Sequence, residues 1–89
     1  MLHHEITIIN KLGLHARAAA KFVSCAAAFS SKIHVSQNGD FVDGKSIMSV
    51  MMLAAGKGTT LKLQVEGKDE EAALAALIAL IENRFDEDE

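Results

Sequence analysis

Cysteine occurs once in the 89 residues, at Cys25, and proline, tryptophan and tyrosine do not occur at all. A lone cysteine excludes an internal disulfide and fits a reducing compartment. With no second cysteine and no histidine at ligand spacing beside it, Cys25 reads as a small buried hydrophobe rather than a redox group. Positive charge is also scarce: Lys and Arg number 9 against 12 Asp and Glu, a net charge of −3, without a basic cluster. Such a surface is a poor match for nucleic acid or an anionic membrane. Long apolar runs are missing as well, since the most apolar stretch, Ala72 to Ile81, falls far short of the roughly 20 residues that span a bilayer. The start, Met1-Leu2-His3-His4-Glu5, lacks the basic flank and apolar core of a signal peptide. A cytoplasmic protein of one domain, residues 1–89, is expected, burying about 60–65% of its unfolded surface and leaving no room for a second catalytic domain.

What is present begins with alternation. Leu2, His4, Ile6 and Ile8 interleave with His3, Glu5 and Thr7, the period-two pattern of a strand with one buried face. His3 and His4 therefore point to opposite sides, which disfavours a shared metal, and no other ligand cluster completes a metal site. An alanine-rich run from Ala16 to about Phe29 favours helix, with Ala19, Phe22, Val23, Ala26 and Phe29 as its apolar stripe. Lys21 lies one turn from Arg17 on the other face and reads as an ordinary solvated lysine. Ile33, Val35 and Gln37 form a second strand, on which His34 is expected to be exposed. Asn38-Gly39 predicts a tight type I′ hairpin into a short strand at Phe41-Val42. Ser46 suits the N-cap of a short helix, Ile47 to Leu53, and capping alone accounts for it. Ile47, Met48, Met51 and Met52 make that helix apolar round much of its circumference, as core or as an adaptable docking surface. Leu61, Leu63 and Val65 mark a fourth strand, and Asp69 can cap a last helix whose buried stripe is Leu74, Leu77, Ile78 and Ile81. Asp86 to Glu89 reads as a solvated acidic tail. The order βαββαβα predicts an α+β fold with an antiparallel sheet, helix-covered on one face.

The chemistry concentrates in Leu12-Gly13-Leu14-His15-Ala16-Arg17. A glycine turn delivers His15 to the start of the first helix, where free backbone N–H groups and the helix dipole favour an anion. An imidazole there keeps a ring nitrogen available as a nucleophile. Arg17, in the first turn, opposes the dipole at a cost of about 0.3–1 kcal/mol, with no acidic residue nearby to offset it. A locally unfavourable arginine shaped for bidentate phosphate binding is better explained by a ligand than by folding. The pattern reads as a histidine that accepts a phosphoryl group, with Arg17 and the N–H groups of Ala16 and Arg17 stabilising the added charge. A histidine used as an ordinary cap beside an exposed arginine fits the same spacing.

Gly39 to Ser46 formally satisfies G-x-x-x-x-G-K-S. It is rejected as a nucleotide loop, because the segment starts in a hairpin turn, passes through strand-like Phe41-Val42, and sets Asp40 and Asp43 where phosphates would lie.

Gly13-Leu14-His15-Ala16-Arg17 resembles the active-site signature of the HPr family, the small histidine phosphocarriers of bacterial phosphotransferase systems. Gly44-Lys45-Ser46-Ile47-Met48-Ser49-Val50-Met51 resembles the family segment that carries a regulatory serine and a partner-binding helix. The resemblance covers essentially the whole chain and implies an open-faced sandwich, a four-stranded antiparallel sheet with three helices on one face. It further implies that Enzyme I, charged by phosphoenolpyruvate, phosphorylates Nδ1 of His15, and that the group passes to a histidine of an acceptor protein. The chain would then be a stoichiometric carrier rather than an enzyme, a monomer without metal or cofactor. Ser46 would be open to a serine kinase/phosphorylase, and Ile47, Met48 and Met51 would meet partners. Two departures stand out: Ala18 replaces the proline usual after the arginine, and Leu12 replaces the asparagine common before the glycine in sugar-type members. With the acidic tail, these resemble the nitrogen-related (NPr) branch. A regulatory binding protein whose phosphorylation state controls docking is the alternative role, and a small anion-binding or nucleotide-binding module is a third.

Overall fold

A computed structural model describes residues 1–89. The elements are β1 (Leu2–Thr7), α1 (Ala16–Ala27), β2 (Lys32–Ser36), β3 (Val42–Asp43), α2 (Ile47–Met52), β4 (Thr60–Glu66) and α3 (Glu70–Glu82), followed by a 3-10 turn at Arg84–Asp86. The sheet is four-stranded in the order β1-β4-β2-β3, and every pairing is antiparallel. Three helices and this sheet make the expected open-faced sandwich. Alternation sets its inner face: Ile6 pairs with Leu61, and Leu63 and Val65 of β4 pair with Val35 and Ile33 of β2. Against these pack Ala18, Ala19, Phe22 and Ala26 of α1, Val50 of α2, and Ala73, Leu77 and Ile81 of α3, all in one core. His3 and His4 are both exposed, and His34 is half-buried.

The hairpin differs from its expected form. His34 faces Asp43 and Val35 faces Val42, the register that a two-residue Asn38-Gly39 loop would impose. The ladder nevertheless opens beyond Val35. Asn38 has no positive φ, while Gly39 takes φ 106° and donates its N–H to the buried Ser36 hydroxyl at 2.7 Å. That side-chain bond replaces the cross-strand pairing of a type I′ turn. Asp69 also departs from expectation, making no capping bond to α3. Its carboxylate instead accepts from the backbone N–H of Ser30 (2.9 Å) and Ser31 (3.0 Å) and from both hydroxyls, tying the start of α3 to the α1–β2 connection. The Ser31 hydroxyl contributes most to holding the Asp69 carboxyl down to about 2. Burial pushes the Cys25 thiol up, in keeping with a packing role.

The largest correction concerns the C-terminus. Asp86 to Glu89 is not a free solvated tail. Arg84, Phe85 and Asp86 take left-handed φ values of 55°, 53° and 64°, turning the chain back across the N-terminal end of α1. Phe85 is wholly buried in the core.

Candidate active site

Beyond β1 the chain stays pinned to the β4 side: Ile8 N–H donates to Thr59 O (2.8 Å) and Gly58 N–H to Ile8 O (2.8 Å). The loop then closes through Gly13 N–H to Asn10 O (3.2 Å) and Leu14 N–H to Ala55 O (2.8 Å). Gly13 is required here, since its φ is +66° and a Cβ would stand 2.4 Å from Ala55 O. Leu14 is buried, so the next residue, His15, is delivered half-exposed at the N-cap of α1.

The two ring nitrogens of His15 have different surroundings. Nδ1 accepts from the Arg17 N–H at 3.3 Å, acting as the helix cap. Nε2 contacts the Glu87 carboxylate. The other Glu87 oxygen accepts from Asn10 Nδ2 at 2.8 Å, and the same Asn10 amide donates to Gly13 O at 2.9 Å. Asn10 is fully buried, and its Oδ1 has no partner. The Asn10 bond, the His15 contact and the nearby Lys21 charge hold the Glu87 carboxyl below the usual carboxylate range, against the opposing effect of desolvation. Lys21 is not the free lysine its position suggested, for Nζ donates to Phe85 O (2.9 Å) and lies 3.7 Å from Asp86.

Arg17 is exposed and forms no ion pair, although the returning tail brings four carboxylates close by. It borders an open cleft of about 500 Å³, lined also by Lys11 and Lys21 and by the carboxylates of Asp86, Glu87, Asp88 and Glu89. An unpaired guanidinium, a helix start whose Arg17 N–H is held only by the His15 cap, and the accepting ring nitrogen beside it can together receive an anionic group. No group of three or more His, Cys, Asp or Glu side chains is placed to hold a metal ion.

The chain matches the PTS-HPr family model, described as "PTS HPr component phosphorylation site", over residues 2–83. It belongs to the HPr family. The phosphocarrier protein HPr of Pseudomonas aeruginosa is 65% identical over 86 residues, covering 96% of each chain. That of Cupriavidus necator is 58% identical over 89 residues and 100% of each. Among solved structures, an HPr from Thermoanaerobacter tengcongensis superposes with a TM-score of 0.96 at 48% identity over 100% of both chains. A chain described as an HPr dimer from the same organism gives 0.78 at 49% identity, over 98% of this chain and 100% of that one. The HPr assignment makes this a phosphotransferase-system phosphocarrier in type.

In the second segment the expected cap is present. Ser46 caps α2, its hydroxyl accepting from Ser49 N–H at 3.3 Å. Ile47, Met48 (66% exposed), Met51 and Met52 (80%) all face solvent, while Val50 alone in this helix is buried. The methionines are therefore surface rather than core. The Leu14–Ala55 hydrogen bond ties the segment just after α2 to the loop carrying His15. Within the segment that mimicked a nucleotide loop, Gly44 N–H is spent on Ile33 O (2.8 Å) and Lys45 N–H on Asp43 Oδ1 (2.9 Å). Those amides are not free to cradle phosphate.

Sequence reasoning missed Asn10, Phe85 and Glu87, and undervalued Lys21. One signal was available: Phe85 follows Ile81 and Leu77 at four-residue steps, so the buried stripe of α3 continues past its end.

Proposed function

We propose that the chain, as one HPr-like domain over residues 1–89, is a stoichiometric histidine phosphocarrier. His15 takes a phosphoryl group on Nδ1 from phosphoenolpyruvate-charged Enzyme I and passes it to a histidine of an acceptor protein. The observation that carries this reading is the aim of Nδ1, whose lone pair points at the N-terminus of α1 beside an arginine without any counter-ion. In the transfer the Nδ1 lone pair attacks phosphorus, and the bond to the donor nitrogen breaks with its electron pair returning to the donor ring. The capping bond from Arg17 N–H gives way, and that N–H, the Ala16 N–H and the guanidinium meet the phosphoryl oxygens. Alignment and charge stabilisation supply most of the catalysis in such transfers.

The carrier is assigned to the nitrogen-related branch. Ala18 supports this: it is the third residue of α1, wholly buried, and stands where the family pattern usually has proline. Ile47, Met48 and Met51 form the docking surface for Enzyme I and the acceptor. Ser46 is the site for a serine kinase/phosphorylase, because phosphate at the start of α2 would add charge beside that surface without breaking the helix. The protein works as a cytoplasmic monomer, and no helix is long and apolar enough to cross a membrane. The exposed methionine face also favours a second role, a regulator whose phosphorylation state controls docking, with onward transfer secondary.

Intact-mass spectrometry after incubation with Enzyme I and phosphoenolpyruvate tests the reading, with His15→Ala alongside. The expected result is one phosphoryl group, lost in acid, stable in alkali and absent from the variant. No gain in mass with a donor active on another carrier would refute it.

A further inference from the structure

The acidic tail has an unassigned task. We propose that Glu87 is a positioning residue for His15, fixing the ring with its proton on Nε2 so that Nδ1 presents its lone pair, and balancing the ring's charge once Nδ1 is phosphorylated. The inference rests on the phosphocarrier reading for its kinetic half and on geometry alone for its tautomer half.

Two independent contacts set the tautomer. Nδ1 accepts a backbone N–H and so carries no proton, while Nε2 faces a carboxylate, which can only accept. The carboxylate is itself held by three features. Asn10, buried and anchored to Gly13 O, donates to its second oxygen. Lys21 grips the carbonyl of Phe85, two residues before it. Phe85 is locked in the core, and the left-handed turn at Arg84–Asp86 directs Glu87 back toward the ring. Three non-glycine residues in that conformation are costly, of order 1–2 kcal/mol each, and persist only where the surroundings over-determine them. A carboxylate held this firmly on the far nitrogen of a nucleophilic histidine orients it as the aspartate of a catalytic triad orients its imidazole.

The group-transfer step balances with Glu87 in place. Nδ1 forms the new bond to phosphorus and the donor's nitrogen–phosphorus bond breaks with its electrons. The Nε2 proton stays on the ring, which becomes cationic. Glu87 then faces that cation, while Arg17 and the helix N-terminus face the phosphoryl oxygens. Onward transfer reverses the charge change and requires no proton to leave the site.

The test uses the full chain, nitrogen-15 labelled, as wild type, Glu87→Gln and Glu87→Ala, with thermal unfolding to verify that each is folded. Wild type is expected to show a slowly exchanging, downfield Nε2–H resonance and an unprotonated Nδ1. Glu87→Gln can still accept from Nε2 and retains the resonance, whereas Glu87→Ala loses it. With Enzyme I and phosphoenolpyruvate, the second-order rate constant for phosphorylation is expected to fall roughly tenfold in Glu87→Ala, the lower end of what partners that orient metal-bound histidines contribute, and less in Glu87→Gln. A Glu87→Ala protein that keeps both the Nε2–H resonance and the wild-type rate would overturn the proposal. Wild type that shows the resonance but accepts no phosphoryl group would instead refute the carrier reading and sustain the tautomer assignment.

Discussion

Replacing Phe85 by alanine tests the C-terminal architecture most directly, because this one ring anchors the segment that a reading of charges alone leaves free. Phe85 is fully buried among the core residues at the end of α3. Removing a buried phenyl ring costs about 3–5 kcal/mol, made up of lost transfer free energy and an unfilled cavity. For a domain of this size each kcal/mol lowers the melting temperature by about 4–8 °C, so a fall of at least about 12 °C is expected. Chemical denaturation should show a lower midpoint at an unchanged slope, provided the denatured state is unaltered. Asp88→Ala is the control, since that side chain is exposed and makes no hydrogen bond or ion pair, and its effect should stay within about 0.5 kcal/mol. The two effects on His15 are linked: with Phe85 gone, Glu87 loses its approach and the Nε2–H resonance should disappear with the stability. A loss below about 1 kcal/mol, or an unchanged resonance, would show that the tail does not dock through this ring and would remove the basis for Glu87 as a positioning residue.

Three further outcomes follow from separate features. Gly13→Ala places a Cβ 2.4 Å from Ala55 O at a positive φ, so a loss of about 2–5 kcal/mol and slower phosphorylation are expected; denaturation and phosphorylation rates check this, and a loss under about 1 kcal/mol would contradict it. Asp69 has its carboxyl held down to about 2, below its ordinary 3.8, so the stability it contributes is fully present above about 3.8 and is lost as pH falls through about 2. Acid unfolding followed by circular dichroism should therefore show a steeper loss in that window for wild type than for Asp69→Asn. Arg17→Ala is expected to raise stability by about 0.3–1 kcal/mol, by relieving the clash with the helix dipole, while lowering the phosphorylation rate, and a variant that loses both stability and rate would show Arg17 to be structural.

Most of the sandwich was legible because local pattern and tertiary demand agree. The alternation in β4 buries Leu61, Leu63 and Val65 as its period selects, and Ile6 and Ile8, Ile33 and Val35, and Ala19, Phe22 and Ala26 follow theirs, whereas His4 and Gln37, at positions of the same phase, stay exposed. His15 and Arg17 stand out in the sequence for the opposite reason, since Arg17 breaks a local rule at a place where an anion would repair it. The failures are non-local. Asp69 sits where a cap belongs, yet Ser30 and Ser31 offer four donors and take it from its helix. Asn38-Gly39 sets the hairpin register, but the Ser36 hydroxyl decides the loop. The tail was misread because four acidic residues look solvated, whereas Phe85 before them continues the stripe of α3 and carries Glu87 into the site. No glycine marks the left-handed turn at Arg84–Asp86, so the sequence carries no local sign of it.

The distribution of paired and unpaired charge at the site is the strongest argument that the arrangement serves transfer rather than stability. Four carboxylates arrive beside three cations. A site optimised for folding would pair Arg17 first, because guanidinium and carboxylate match in a two-pronged geometry that lysine cannot offer. Instead Lys11 takes Glu89 at 3.4 Å, Lys21 takes the Phe85 carbonyl and Asp86, and Glu87 goes to His15 and Asn10. The best anion ligand of the three is left open, at the helix end where it costs most, beside the ring nitrogen that carries no proton. Occupying Nε2 while leaving Arg17 and Nδ1 unoccupied divides the imidazole into a held edge and a reactive edge. On the proposed reading, an incoming phosphoryl group would find its ligands already aimed and would have one capping bond, from Arg17 N–H, to displace.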